Sequence, residues 1–311
     1  MELPPKLWFK LQRLKAYFRL SFGQKEQHFD SALRMCPSCR GLIDRGASVC
    51  PLCDAPVRSA RSRPSSTPGR VMGGVVPVPS TANSIIIAFT ILMYAVSWIM
   101  TQRAAAASLQ PAPSLGGIST LVLLHLGAKS PLILAGQWWR LVTAIFLHAG
   151  LIHIGFNLWC LFDVGPMVES LFCSSKYVVV YLVTGVFGYF VSLWWRPMGI
   201  SIGASGAIMG LIGILIGASY HLGSSGKELR RQLWKWVIYI VIFGLLPMFS
   251  IDNAAHFGGF ISGLLLGYLI STGEPQTGAS EKLWNTLAIL SVLVIAGSFA
   301  LMALNLSHPI R

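Results

Sequence analysis

One hydroxyl stands in the run GASGAIMG, residues 203–210: Ser205. Two readings of it compete. Small residues at the mouth of a hydrophobic helix let a neighbouring helix approach closely. A serine there is alternatively a nucleophile, if a base takes its proton. The stretch DNAAHFGG offers such a base, His256, together with Asp252 and Asn253. HAGLIHIGFN supplies His148, His153 and Asn157. His153 and Asn157 are four residues apart and share a helix face. Acyl transfer builds an oxyanion, and Asn, His and backbone N–H groups stabilise one. A helix opening at Ser205 adds its unpaired N–H groups and the positive end of its dipole. No carboxylate is placed to orient His256, because Asp252 precedes it by one turn, where the helix only begins. The expected catalytic unit is therefore a dyad of Ser205 and His256.

These residues need elements that bring them to one depth, and the composition says which. The chain of 311 residues is 54% hydrophobic and 11% charged. Soluble domains are nearer a quarter charged, which argues against an ordinary soluble enzyme. Apolar runs recur at about 84–101, 148–167, 177–195, 203–220, 234–250, 253–271 and 285–303. Each approaches the ~20 residues that cross a ~30 Å hydrocarbon layer. The loop at 221–235 carries Lys227, Arg230, Arg231 and Lys235, so it is assigned to the cytoplasmic side. Alternation then puts the N-terminus inside and the C-terminus outside. Gly206, Gly210, Gly213 and Gly217 form a stripe at helical spacing, and Gly259, Gly263 and Gly267 form another. If the stripes meet, Ser205 and His256 meet at the external ends of their helices. The 148–167 run delivers His153 and Asn157 to the same level. A transporter would need paired ionisable groups through the whole depth or an inverted repeat, and neither is visible.

The remaining polar features have plainer readings. His148 is expected to make a structural hydrogen bond at the interface. The long segment 102–147 is expected to lie in the interface, anchored by Trp138, Trp139 and Arg140. Asp163 is expected to hydrogen-bond to a neighbouring helix. Cys160 and Cys173 read as ordinary apolar residues.

Residues 1–83 hold 13 of the 24 Lys and Arg and 5 of the 11 Asp and Glu. A basic N-terminal part fits a cytoplasmic region on anionic lipid. The basic residues form no dense patch, so nucleic acid is not an expected partner. Leu7, Leu11, Leu14 and Phe18 recur at helical spacing among Lys and Arg, which predicts a surface amphipathic helix. A mitochondrial presequence is the alternative. Residues 56–82 are rich in Pro, Ser, Gly and Arg and read as a linker.

Four cysteines form CPSC and CPLC: Cys36, Cys39, Cys50 and Cys53. Two such pairs fit a tetrahedral four-thiolate zinc site. A stretch this short has no core of its own to fold on. Disulfides are the alternative, and the cytoplasmic assignment weighs against them. The zinc is read as structural, with a cytoplasmic partner of the ribbon as a further expectation and no metal in the chemistry.

At these residues the sequence resembles the rhomboid family of intramembrane serine proteases, over roughly residues 84–272. The family's GxSG motif reads Gly203-Ala204-Ser205-Gly206, and its HxxxN reads His153-Ile154-Gly155-Phe156-Asn157. Its AH-xx-G reads Ala255-His256-Phe257-Gly258-Gly259, and its WR reads Trp139-Arg140. The GxSxG elbow of soluble hydrolases is not met, because residue 207 is Ala and no strand precedes it. The resemblance implies Ser205 as nucleophile and His256 as base and then acid. His153, Asn157 and the Ser205 N–H would form the oxyanion hole, with Gly203, Gly206 and Gly259 in support. It also implies cleavage in or near the transmembrane segments of membrane protein substrates, gated by the fifth span and the cap loop at about 245–253. A catalytically inactive relative that binds membrane clients is the alternative, although such relatives typically lose the serine or the histidine.

The expected fold is an all-α polytopic membrane protein with a six-helix core, a seventh C-terminal transmembrane helix and a small N-terminal zinc ribbon. Its parts are a basic segment (1–30), the ribbon (31–55), the linker (56–82), the protease core (83–272) and a linker with the seventh helix (273–311). The expected location is a bacterial plasma membrane, with the site opening to the external side.

Overall fold

The computed structural model describes residues 33–35, 42–44, 49–50, 53–54, 81–109, 111–245, 251–270, 272–273 and 277–306. The chain divides into two units, Met1–Val78 and Pro79–Arg311. The amphipathic segment expected near residues 7–18 and most of the 56–82 linker lie outside the described residues, as do Cys36 and Cys39.

In the first unit, β1 (Leu33–Met35) pairs antiparallel with β2 (Leu42–Asp44), with Met35 opposite Leu42. The second unit is helical. Its long helices are α1 (Thr81–Ser108), α4 (Leu151–Phe172), α5 (Ser174–Trp195), α6 (Ser205–Ser219), α7 (Gly223–Leu245), α8 (Asn253–Leu269) and α9 (Gly278–Asn305). Two short helices, α2 (Thr120–His125) and α3 (Arg140–Thr143), fall between α1 and α4. By length and composition α1, α4, α5 and α9 can each cross a membrane.

The middle helix organises the rest. α6 has 15 residues, so it runs ~22 Å and falls short of a ~30 Å hydrocarbon layer. From Gly206 to Ser219 every residue of it is buried. Lipid tails give no hydrophobic reason for helices to associate, so backbone proximity and dispersion must do it. The two glycine stripes supply that proximity. A Cβ at Gly259, Gly263 or Gly267 would run into the carbonyls of Gly206, Gly210 and Ile214 respectively. On α5, a Cβ at Gly188 would lie 2.6 Å from the Ala255 carbonyl oxygen. Three helices thus converge at the start of α8.

A polar network ties α1, α4 and α5 together. Glu169 accepts hydrogen bonds from the Ala82 and Asn83 N–H groups at 3.0 and 2.9 Å, which caps the opening turn of α1. Tyr177 donates to Asn83 Oδ1 at 2.7 Å. Cys173, expected to be an ordinary apolar residue, is the one-residue link between α4 and α5, with φ of 72°. α9 is held by Phe299 against Phe89 and Phe146, with ring centroids 4.9 and 5.7 Å apart.

Two expectations need correction. In the 102–147 segment, Trp139 and Arg140 act as structural anchors, but from inside the fold rather than by facing the interface. Trp138 is exposed, while Trp139 and Arg140 are buried. Arg140 donates from Nη1 to the carbonyls of Leu124 (2.7 Å) and Ala128 (3.1 Å), and from Nε to Gln137 Oε1 (2.6 Å). The guanidinium thus ties the segment to itself, and burial pulls its pKa down to about 10. Asp163 is exposed on α4 and makes no hydrogen bond to a neighbouring helix; nothing in the structure explains it.

Candidate active site

Ser205 opens α6, so the first N–H groups of the helix have no partner within it. The preceding glycine shapes the approach. Gly203 has φ of 118°, a conformation that side chains other than hydrogen rarely adopt. The point where its Cβ would stand lies 2.7 Å from His153 Nε2 and 3.9 Å from Ser205 Oγ. Nothing larger than glycine leaves that space free between imidazole and hydroxyl. Gly203 is fixed from both sides: its N–H donates to the Ala144 carbonyl at 2.9 Å, and its own carbonyl accepts from the Tyr189 hydroxyl at 2.8 Å.

His153 has a defined tautomer. The Ala149 N–H donates to its Nδ1 at 3.4 Å, so in the neutral ring the proton sits on Nε2, the nitrogen beside Gly203. Nε2 is therefore a donor where an oxyanion would need one. Asn157 spends one amide N–H on the His153 carbonyl at 2.8 Å and keeps the other. Its Oδ1 is buried without a hydrogen-bond partner. His148, expected to make a structural hydrogen bond, interacts with the Phe146 backbone, although neither ring nitrogen has a partner at close hydrogen-bond geometry among the described residues, and its ring packs 4.9 Å from that of His153.

His256 lies in the first turn of α8 and is buried. Ala255, just before it, faces Gly206, just after Ser205: the Ala255 oxygen is 3.4 Å from the Cβ point at Gly206. Asp252 does not orient the imidazole. Its Oδ1 caps α8 by accepting from the Ala255 N–H at 3.0 Å, and its Oδ2 accepts from the Ser192 hydroxyl at 2.5 Å. Ser205, His256, His153 and Asn157 line one cavity of about 610 Å³, together with Lys129, Tyr189 and Ser192.

Tyr189 and Ser192 were not singled out from the sequence. They stand three residues apart on one face of α5, the spacing that marks a shared helix face. That polar pair inside an apolar run was the available signal.

Residues 135–273 match the Rhomboid domain family model. The protein named "Putative rhomboid protease YdcA" from Bacillus subtilis (strain 168) is 32% identical over 138 residues, which cover 43% of this chain and 68% of that one. The chain belongs to the rhomboid family. "Rhomboid protease GluP" from the same organism is 36% identical over 184 residues, 58% of this chain and 35% of that protein. "RHOMBOID-like protein 6, mitochondrial" from Arabidopsis thaliana is 34% identical over 170 residues, 53% of this chain and 54% of that protein. The chain thus spans about a third to a half of the length of these last two. With its apolar helices, this membership makes it an integral membrane protein.

In the first unit, the Asp54 N–H donates to the Cys50 carbonyl at 2.9 Å, and Asp54 has φ of 53°. Cys50 is fully buried, while Cys53 is exposed. In sequence, the first pair, Cys36 and Cys39, falls between β1 and β2.

Proposed function

We propose that this rhomboid is an intramembrane serine endopeptidase working through a Ser205–His256 dyad. The observation that supports the reading most is the cavity, whose wall carries the Ser205 hydroxyl, the His256 imidazole and a second imidazole, His153, with Asn157 beside it. His256 takes the Ser205 proton as Oγ bonds to the scissile carbonyl carbon. The carbonyl oxygen becomes an oxyanion, met by the Ser205 N–H, His153 Nε2–H and the spare Asn157 N–H. Collapse breaks the C–N bond, and His256 hands its proton to the departing amine. Water then attacks the acyl-serine with His256 again as base, releasing the acid and restoring the hydroxyl. The substrates are membrane proteins cut in or near their transmembrane segments. Helices α1 and α4–α8 form the six-helix core and α9 the seventh helix, in a bacterial plasma membrane with the N-terminus cytoplasmic.

The test is cleavage of a transmembrane reporter by detergent-purified protein. Wild type should cleave it, while Ser205→Ala and His256→Ala should not. Equal cleavage by all three would sink the dyad. A wild type that cleaves no reporter and takes no fluorophosphonate on Ser205 would favour a client-binding role instead.

The N-terminal cysteines form a separate, structural zinc site in this reading, held by Cys36, Cys39, Cys50 and Cys53. The spacing of the two CxxC pairs supports it, since four thiolates satisfy a tetrahedral zinc ion. The site docks a cytoplasmic partner and supplies no chemistry.

A further inference from the structure

The least expected residue in the cavity wall is Lys129. It is 0% exposed, and lysine is almost never fully buried without a charged partner. Its Nζ instead donates to two backbone carbonyls, Arg196 at 2.6 Å and Gly199 at 3.0 Å. Its backbone pairs with Ser201 in both directions, each bond 3.0 Å. One residue thereby grips the segment 196–201 at three points.

That segment links α5 to the start of α6, and Arg196, Gly199, Ile200 and Ser201 line the cavity. The nucleophile does not depend on the grip. Gly203 has its own anchors, the Ala144 carbonyl and the Tyr189 hydroxyl. Lys129 therefore fixes the wall beside Ser205 and leaves Ser205 itself to other contacts.

Burial lowers its pKa below the ordinary value, a shift that the Asp252 carboxylate opposes and Arg196 reinforces. The ammonium is the donor to two carbonyls of the 196–201 segment, and removing it leaves both without that donor.

We propose that Lys129 is a positioning residue, whose ammonium holds residues 196–201 as a rigid cavity wall and so governs how a substrate chain engages Ser205. This rests on the protease reading above. A small electrophile needs only the nucleophile and its base, whereas a polypeptide must also lie along the wall. The two kinds of reagent should therefore respond differently to loss of the lysine.

The experiment compares wild type, Lys129→Met and Lys129→Gln in three measurements: kcat and KM on a transmembrane reporter, the rate of fluorophosphonate labelling of Ser205, and amide hydrogen exchange. For Lys129→Met we expect kcat/KM to fall about tenfold, mainly through KM. Labelling should stay within about twofold of wild type, while the melting temperature falls by a few degrees as two carbonyls lose their donor. Exchange should accelerate at Ser201 and its neighbours and not at 205–209. Lys129→Gln, which keeps a donor, should fall between the two. Wild-type efficiency with unchanged exchange in Lys129→Met overturns the proposal. So does a joint fall of labelling, cleavage and melting temperature, which marks a general prop of the fold. If Lys129→Met does not fold, Lys129→Gln carries the same comparison. A wild type that neither labels nor cleaves defeats the protease reading alone, and exchange still decides whether Lys129 holds the wall.

Discussion

The carbonyl of Gly206 occupies the space where a side chain at Gly259 would begin. The contact is backbone against backbone, so no flexible side chain can yield. Gly259→Ala must push α8 from α6 just below the Ser205 and His256 level. We expect reporter cleavage to fall about a hundredfold, as for a displacement near 1 Å, with a lower melting temperature. Wild-type activity in this variant would mean that the helices tolerate separation.

Gly203→Ala addresses the nucleophile's approach instead of the packing. The new methyl would meet His153 Nε2 at 2.7 Å in a backbone conformation already unfavourable for alanine. Cleavage and fluorophosphonate labelling should both fall, by about a hundredfold for cleavage. Normal labelling would show that the space beside Gly203 is not used in the chemistry.

Asp252 separates a dyad from a triad. Both of its oxygens are engaged, one by the α8 backbone and one by Ser192. Asp252→Asn keeps a capping oxygen, so stability should stay within roughly a few tenths of a kcal/mol, and kcat should fall less than about tenfold. A loss near ~10⁴-fold, as when the acid of a triad is replaced, would overturn the dyad.

Zinc removal should leave the chemistry alone. Purified wild type should carry about one zinc per chain by elemental analysis, and Cys36→Ser should lose it. Residues 31–55 should then become sensitive to protease while Ser205 labelling is unchanged. Zinc-free wild type, or labelling that vanishes with the metal, would contradict a separate structural site.

Much of the site was legible because its logic is periodic. Glycines at helical spacing announced which helices touch, and polar residues in apolar runs announced the site. What stayed hidden depends on partners distant in sequence. Arg140 looked like an interfacial anchor, because a Trp–Arg pair at a membrane surface and one folded inward have the same composition. Only the carbonyls of Leu124 and Ala128 decide between them. Nothing local in the sequence marks Lys129, because its acceptors stand 67 and 70 residues further along. Tyr189 was one more aromatic in a span until Gly203 supplied its acceptor.

The brevity of α6 turns the protein into a depth gauge. Beyond its last residue, Ser219, the Tyr220 ring lies beneath the Arg230 guanidinium, 4.2 Å away, a pairing suited to one membrane boundary. On the protease reading, with α6 upright from that boundary, its ~22 Å length would leave Ser205 roughly 8 Å below the opposite boundary of a ~30 Å layer. A helical substrate standing upright offers only its outermost ~5 residues at that level. Thinning the bilayer would slide the reachable bond toward the substrate's end, so lipid chain length itself should shift the cut.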